Sequence, residues 1–282
     1  MHKNLKVIAL MAAAGILLIS GDAFAAQGHP VPWQMWFQDS GSTTEDGIQS
    51  LHHLLFAVEV GIVVFVLVLL GYILVRFNSK ANPVPAKFTH NTLLEVVWTA
   101  VPIVILVIIA VPSLKLLYYA DHNTQSEMTL KVKGNQWFWT YSYPDQGDIT
   151  FDSMRLDDET AKEQGKPRMF DVDEVAVLPV GTNVRILVGT NDVIHNWAIP
   201  SLGVRIDATP GRVNETWVNI KAPGDYYGMC SELCGIQHGF MPIHVHAVSK
   251  EDFAKWIVTA KKKYASAAPV TVAQLSKEVV GR

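Results

Sequence analysis

Two long stretches of this chain are almost free of polar side chains. "LLFAVEVGIVVFVLVLLGYILV" (54–75) contains one charge, Glu59, and "VVWTAVPIVILVIIAVPSL" (96–114) contains none. At about 1.5 Å per residue each can cross a hydrocarbon core of roughly 30 Å. Both are apolar all round, which argues against helices half-buried in a soluble core. They predict transmembrane helices over 54–75 and 96–117, with Pro102 and Pro112 tolerated inside the second. A shorter apolar run, "VIALMAAAGILLI" (7–19), follows Lys3 and Lys6 and precedes "AFA" (23–25). It reads as a secretory signal over 1–25.

The linker 76–95 carries Arg76, Lys80 and Lys87, and one acid, Glu95, at its end. The excess of bases predicts that this linker is cytoplasmic. The segment 26–53 and everything after the second span then face the periplasm. Glu59 is read as facing a protein neighbour or as hydrated near the interface, and Glu95 as an interfacial carboxylate or a proton entrance. His52 and His53 fall near the outer interface with no assigned task.

From Met128 the pattern changes to alternation. "TLKVKGNQWFWTYSY" (129–143), "EVAVLPVGTNVRILVGTN" (174–191), "NETWVNIKAPGDYYGMC" (214–230) and "MPIHVHAV" (241–248) are rich in β-branched and aromatic residues. Turn signals such as "PDQGD", "PVGT" and "APGD" separate them. Short strands with such breaks predict an antiparallel sandwich or barrel over 118–248. A helix is expected over 249–264, with Ser249 and Asp252 in a capping box and Phe253, Trp256, Ile257 and Ala260 on one apolar face. The tail 265–282 is expected to be loose.

Charge sharpens this division. The 282 residues have a formal net charge of −3, yet residues 121–250 hold 17 acids against 11 bases. An acidic external face suits a basic protein partner, though solubility alone would also explain it. Nothing points to nucleic acid.

The chain has two cysteines, both within "CSELCGIQHGFM" (230–241). In an oxidising compartment thiols persist when paired or metal-bound. A disulfide, a zinc site and a copper site are all compatible with two cysteines. The Cys-x3-Cys spacing departs from the Cys-x2-Cys of redox dithiols, and no Cys-x2-Cys-His is present for a covalent haem. Zinc could take Cys230, Cys234, His238 and an upstream His195, expected in a loop, but would leave Met241 without a task. Copper electron-transfer sites use cysteine, histidine and a weak thioether. Two thiolates this close could bridge two copper ions. His244 and His246 alternate on the last strand and are expected to form one solvent-facing stripe.

Four segments carry a resemblance: "RFNSKANPVPAKFTHNTLLEVVWTAVPIVIL", "GNQWFWTYSYPD", "FDVDEVAVLPVGTNVRILVGTNDVIHNWAIPSLGVRIDATPGRVNETW" and "PGDYYGMCSELCGIQHGFMPI". The chain resembles subunit II of the haem–copper cytochrome c oxidases. That resemblance implies a two-helix transmembrane hairpin carrying an all-β cupredoxin-like Greek-key sandwich. It implies a dinuclear copper A centre held by His195, Cys230, Cys234, His238, Met241 and the backbone carbonyl of Glu232. The Glu232 carboxylate would help hold magnesium at the boundary with subunit I.

Trp137 would be where electrons arrive from cytochrome c; otherwise Trp137 and Trp139 simply pack on one strand face, with Phe138 on the other. Many relatives have Tyr where this chain has Phe138. Asp152, Asp173 and Asp192 match acidic docking positions, and Glu95 matches the mouth of a proton-uptake route. The implied setting is a bacterial inner membrane, with subunit I, subunit III, cytochrome c and lipid as partners and no oxygen reduction by this chain alone. Two other classes remain: a metal-free subunit II of quinol oxidases, against which the full ligand set argues, and a free-standing copper enzyme such as nitrous oxide reductase, against which the hairpin argues.

Overall fold

The computed structural model describes residues 28–84, 86–121 and 125–264. The expected signal (1–25) and tail (265–282) lie outside the described residues.

Helix α1 spans Thr43–Arg76 and helix α2 spans Thr92–Asp121, each longer than its apolar run. At about 1.5 Å per residue they extend past a hydrocarbon core at both ends. Their central side chains are exposed and apolar. Ser42 caps α1, its hydroxyl accepting from the Glu45 N–H at 3.0 Å. At the linker end, Asn91 Oδ1 accepts from the Leu94 N–H at the start of α2. Glu95 therefore stands in the first helical turn.

The outer end of the hairpin is tied to the soluble part. Ser42 Oγ donates to the Leu202 carbonyl at 2.7 Å, Tyr119 Oη donates to Thr43 Oγ1 at 2.9 Å, and Trp217 Nε1 donates to the Tyr119 carbonyl at 3.1 Å. Gly47 lies against Leu116, where a Cβ would come within 2.6 Å of Cδ1.

The soluble part is a sandwich of two five-stranded sheets. The strands are β1 Met128–Asn135, β2 Phe138–Tyr143, β3 Ile149–Ser153, β4 Ala176–Pro179, β5 Asn183–Thr190, β6 His195–Ile199, β7 Val204–Ala208, β8 Asn214–Asn219, β9 Gly224–Cys230 and β10 Pro242–Val248. One sheet runs β3-β2-β1-β5-β8 and the other β4-β10-β9-β6-β7. The expected all-antiparallel pairing is corrected at two places, since β1 runs parallel to β5 and β4 parallel to β10. Alternating burial on β2 and β5 sends Trp139, Tyr141, Tyr143, Val184, Ile186 and Val188 into the shared core. Tyr143 is fully buried, and its hydroxyl both donates to the Val177 carbonyl and accepts from the Val177 N–H. A buried phenol thus keeps its hydrogen bonds.

A short helix α3, Asp158–Glu163, lies in the β3–β4 connection. Helix α4, Lys250–Tyr264, packs against β3 and β4, an edge strand of each sheet. Ser249 Oγ accepts from the Asp252 N–H, and Phe253 and Ala260 are buried with Trp256 and Ile257 packed beside them.

Candidate metal centre

Three loops meet at one end of the sandwich: the β1–β2 turn, the β5–β6 connection and the segment between β9 and β10. Cys230 is the last residue of β9, and Met241 directly precedes β10. The Cys230 N–H donates to the Met241 carbonyl at 3.1 Å, so strand pairing fixes the two ends of the loop against each other. Met241 is 1% exposed.

The two sulfurs are free and buried, with 3.8 Å between the Sγ atoms. A disulfide holds its sulfurs about 2.05 Å apart. His195 and His238 flank this pair. Nδ1 of His195 lies 4.0 Å from Cys230 Sγ, and Nδ1 of His238 lies 3.6 Å from Cys234 Sγ. The carbonyl of Glu232 lies 3.3 Å from Cys230 Sγ. Cysteine, histidine and carbonyl donors from residues 195 to 238 therefore face one small volume.

His195 is not in a loop, as its sequence context suggested. It opens β6, is fully buried, and pairs with Ala208 across the sheet. Its Nε2 is 2.8 Å from Asp192 Oδ1, which leaves Nδ1 facing the sulfurs. A carboxylate on the far nitrogen is the usual way to orient a metal-binding imidazole. The other face of the ring meets Gly134, where a Cβ would fall 2.8 Å from Cδ2 and 2.9 Å from Cγ. Glycine at 134 is needed for this approach, and no motif in the sequence marks it.

Electrostatics bind the pair together. Burial raises the Cys230 pKa, but hydrogen bonds donated to its sulfur, first from His195, outweigh it and hold the thiol below its ordinary value. Burial, then the negative charge on Cys230, pushes Cys234 up. One negative charge is readily held at the pair; a second thiolate needs a cation beside it. Two thiols, two imidazole nitrogens and a buried thioether suit copper, and a bound cation would supply the charge that the second thiolate requires.

Trp137 does not lie on a strand with Trp139. It sits in the turn before β2, half-buried, while Trp139 is in the core with its ring 6.0 Å from that of His195. Trp137 Nε1 and Gln136 Nε2 both donate to the Cys234 carbonyl, at 3.1 and 2.9 Å. The Gln136 N–H donates to Asp192 Oδ2 at 2.7 Å. Trp137, Phe138, Met154, Arg155 and Phe240 line an open cleft of about 540 Å³ beside the loop. Leu233 and Ile236 project from the loop with 79% and 93% exposure.

Residues 128–248 match the family "Cytochrome C oxidase subunit II, periplasmic domain", and residues 30–116 match "Cytochrome C oxidase subunit II, transmembrane domain". The chain belongs to the cytochrome c oxidase subunit II family. A probable cytochrome c oxidase subunit 2 of Rickettsia felis is 50% identical over 246 residues, covering 87% of this chain and 77% of that protein. Cytochrome c oxidase subunit 2 of Zea mays is 44% identical over 232 residues, covering 80% and 89%. The crystal structure of the periplasmic domain of the Bradyrhizobium japonicum subunit (CoxB) is 46% identical and covers 50% of this chain and 97% of that one, with a TM-score of 0.47. This subunit II chain is thus a membrane protein with a cupredoxin-like periplasmic domain and a cysteine–histidine site compatible with copper.

The remaining expected residues are scattered over the subunit. Glu232 is exposed on the loop, beside an open cleft of about 640 Å³ that also involves Asn196, Asp207 and Glu215. Asp152 and Asp173 are exposed; Asp152 accepts from Thr140 Oγ1, and Asp173 accepts from the N–H groups of Met154 and Glu174. Asp192 is engaged with His195, Thr190 and Gln136. Glu95 lies far along the hairpin, in a shallow groove with Thr92, Val96, Thr99 and Ile103.

The expected stripe of His244 and His246 is corrected. His246 is exposed, but His244 is 5% exposed, under the ring of Tyr227 at 4.3 Å and between Asp171 and Asp225. Strand alternation places both on one face, and that face is covered only over His244.

Proposed function

We propose that this subunit accepts single electrons from cytochrome c and delivers them to the haem of subunit I, within an oxidase that reduces oxygen and pumps protons. The observation carrying the reading is the pair of unjoined, buried sulfurs 3.8 Å apart with an imidazole nitrogen at each end. Cys230, Cys234, His195, His238, Met241 and the Glu232 carbonyl would together hold two copper ions. When bound, the copper pair supplies a one-electron redox site whose charge is spread over two metals.

The residues of the chain do the rest. Burial of His195, Cys230, Cys234 and Met241 keeps water from the donors. Asp192 fixes His195 so that Nδ1 faces inward. Trp137 links the surface cleft to the cysteine loop through the Cys234 carbonyl, which suits electrons arriving there. Exposed Leu233 and Ile236 offer apolar contact, and Asp152 and Asp173 offer charge for the basic rim of the donor. The Glu232 carboxylate is free to hold magnesium against subunit I. Glu95, in the first turn of α2, would take up protons from the cytoplasmic side. The setting is the bacterial inner membrane, with subunit III and lipid as further neighbours and a cleaved signal over 1–25.

The test is electron delivery by the assembled oxidase. Reduced cytochrome c should be oxidised rapidly and quinol should not. Oxidation of quinol but not cytochrome c would overturn the reading in favour of a quinol oxidase subunit.

A further inference from the structure

Strand β5 ends on a row of the sheet that supports His195 in two ways. Gly134 and Thr190 are direct partners in the parallel β1–β5 pair. Gly134 is the residue whose added Cβ would fall 2.8 Å from the His195 ring. Thr190 is 6% exposed, on the same inward face of β5 as Val184, Ile186 and Val188. A hydroxyl buried at a strand end needs partners. Thr190 finds them in Asp192, two residues on. Its Oγ1 donates to Asp192 Oδ1 at 2.8 Å and accepts from the Asp192 N–H at 3.1 Å.

The oxygen that Thr190 meets is the one that His195 Nε2 meets, also at 2.8 Å. The Val193 N–H donates to it as well, at 2.7 Å, and Oδ2 accepts from the Gln136 N–H at 2.7 Å. Two of these donors are main-chain groups. Among the described residues, the side chains that donate to this carboxylate are Thr190 and His195. Every donor draws charge from the carboxylate. The charge that remains sets how hard Asp192 pulls on the His195 Nε2–H. A harder pull makes Nδ1 a more electron-rich ligand, which favours the oxidised metal.

We propose that Thr190 is a positioning residue for electron transfer: acting through Asp192, its hydroxyl sets the orientation and donor strength of His195 and so raises the reduction potential of the copper centre. Thr190 has this role only if the cysteine–histidine site holds copper as proposed. Without the hydroxyl, Asp192 keeps its main-chain donors, so the ring stays in place while the carboxylate pulls harder on it.

The test is optical redox titration of the copper-loaded, full-length chain in detergent. Thr190→Val keeps the shape and removes the hydroxyl, Thr190→Ala removes it without adding bulk, and Thr190→Ser retains it. Outer partners of metal-bound histidines are worth about 10–100-fold, and Thr190 stands one step further out. Thr190→Val and Thr190→Ala should weaken electron affinity by about three- to tenfold, a fall of roughly 30–60 mV at about 59 mV per tenfold. Copper content should not change, and Thr190→Ser should keep the wild-type potential. A wild-type potential in Thr190→Val and Thr190→Ala, with only the melting temperature lowered, would overturn the role of Thr190 and leave the copper reading intact. An equal fall in Thr190→Ser would do the same. A wild-type chain that takes up no copper would overturn both.

Discussion

The indole Nε1 of Trp137 donates to the main-chain carbonyl of Cys234 at 3.1 Å. The half-buried surface ring therefore touches the backbone of a sulfur donor with no residue in between. Trp137→Ala should leave the Kd for cytochrome c within about threefold, under roughly 1 kcal/mol. The rate of electron arrival should fall by more than about tenfold. Stopped-flow reduction by cytochrome c separates the two, and an unchanged rate would remove Trp137 from the route.

Gly134 is predicted to be as sensitive as a ligand. A methyl group there would press on the His195 ring at 2.8 Å, while the ring is tied to Asp192 through Nε2. Gly134→Ala should cost about 1–3 kcal/mol, as overpacking does, and should shift the visible absorption of the copper-loaded chain. A native spectrum and an unchanged melting temperature would contradict this packing.

The three acidic positions should separate by experiment. Among the described residues Asp152 and Asp173 bond to nearby hydroxyl or backbone groups, so neutralising both should slow association mainly at low salt. Asp192→Asn should perturb the metal spectrum as well, because its carboxylate holds His195. Equal effects of all three on salt dependence, with no spectral change for Asp192→Asn, would refute the distinction.

His244 gives the folded state a pH dependence. Burial lowers its pKa, but hydrogen bonds to Asp171 and Asp225 outweigh this and raise it above 6.5. Such a group stabilises the fold fully below pH 6.5 and loses that contribution as pH rises through its folded value. Asp225 works in the other direction: the His244 hydrogen bond holds it at about 2 against 3.8, so its contribution is lost only as pH falls through that range. Wild-type melting temperature should decline above pH 6.5, and His244→Val should decline less. Identical slopes in calorimetry of the full-length chain would contradict the assignment.

Much of this was legible because the strongest patterns are long or dense. The hairpin shows in two long runs that are apolar all round, and the loop shows in two cysteines, a histidine and a methionine within twelve residues. Strand β6 was missed because all five of its residues, His195–Ile199, are buried, which erases the alternation that marks a half-buried strand. The parallel pairings of β1 with β5 and β4 with β10 depend on long connections, about which local pattern says nothing. His244 looks identical to His246 by period, and only the tertiary placement of Asp171, 73 residues earlier, distinguishes them.

The account stands on Cys230 and Cys234 acting as shared ligands. The direct measurement is electron paramagnetic resonance of the copper-loaded full-length chain, paired with a copper count. Two coppers per chain and a hyperfine pattern from two equivalent nuclei, lost in Cys234→Ser, are the predicted result. A single-copper pattern, a colourless zinc-bound chain, or a Cys230–Cys234 disulfide in the assembled oxidase would contradict it.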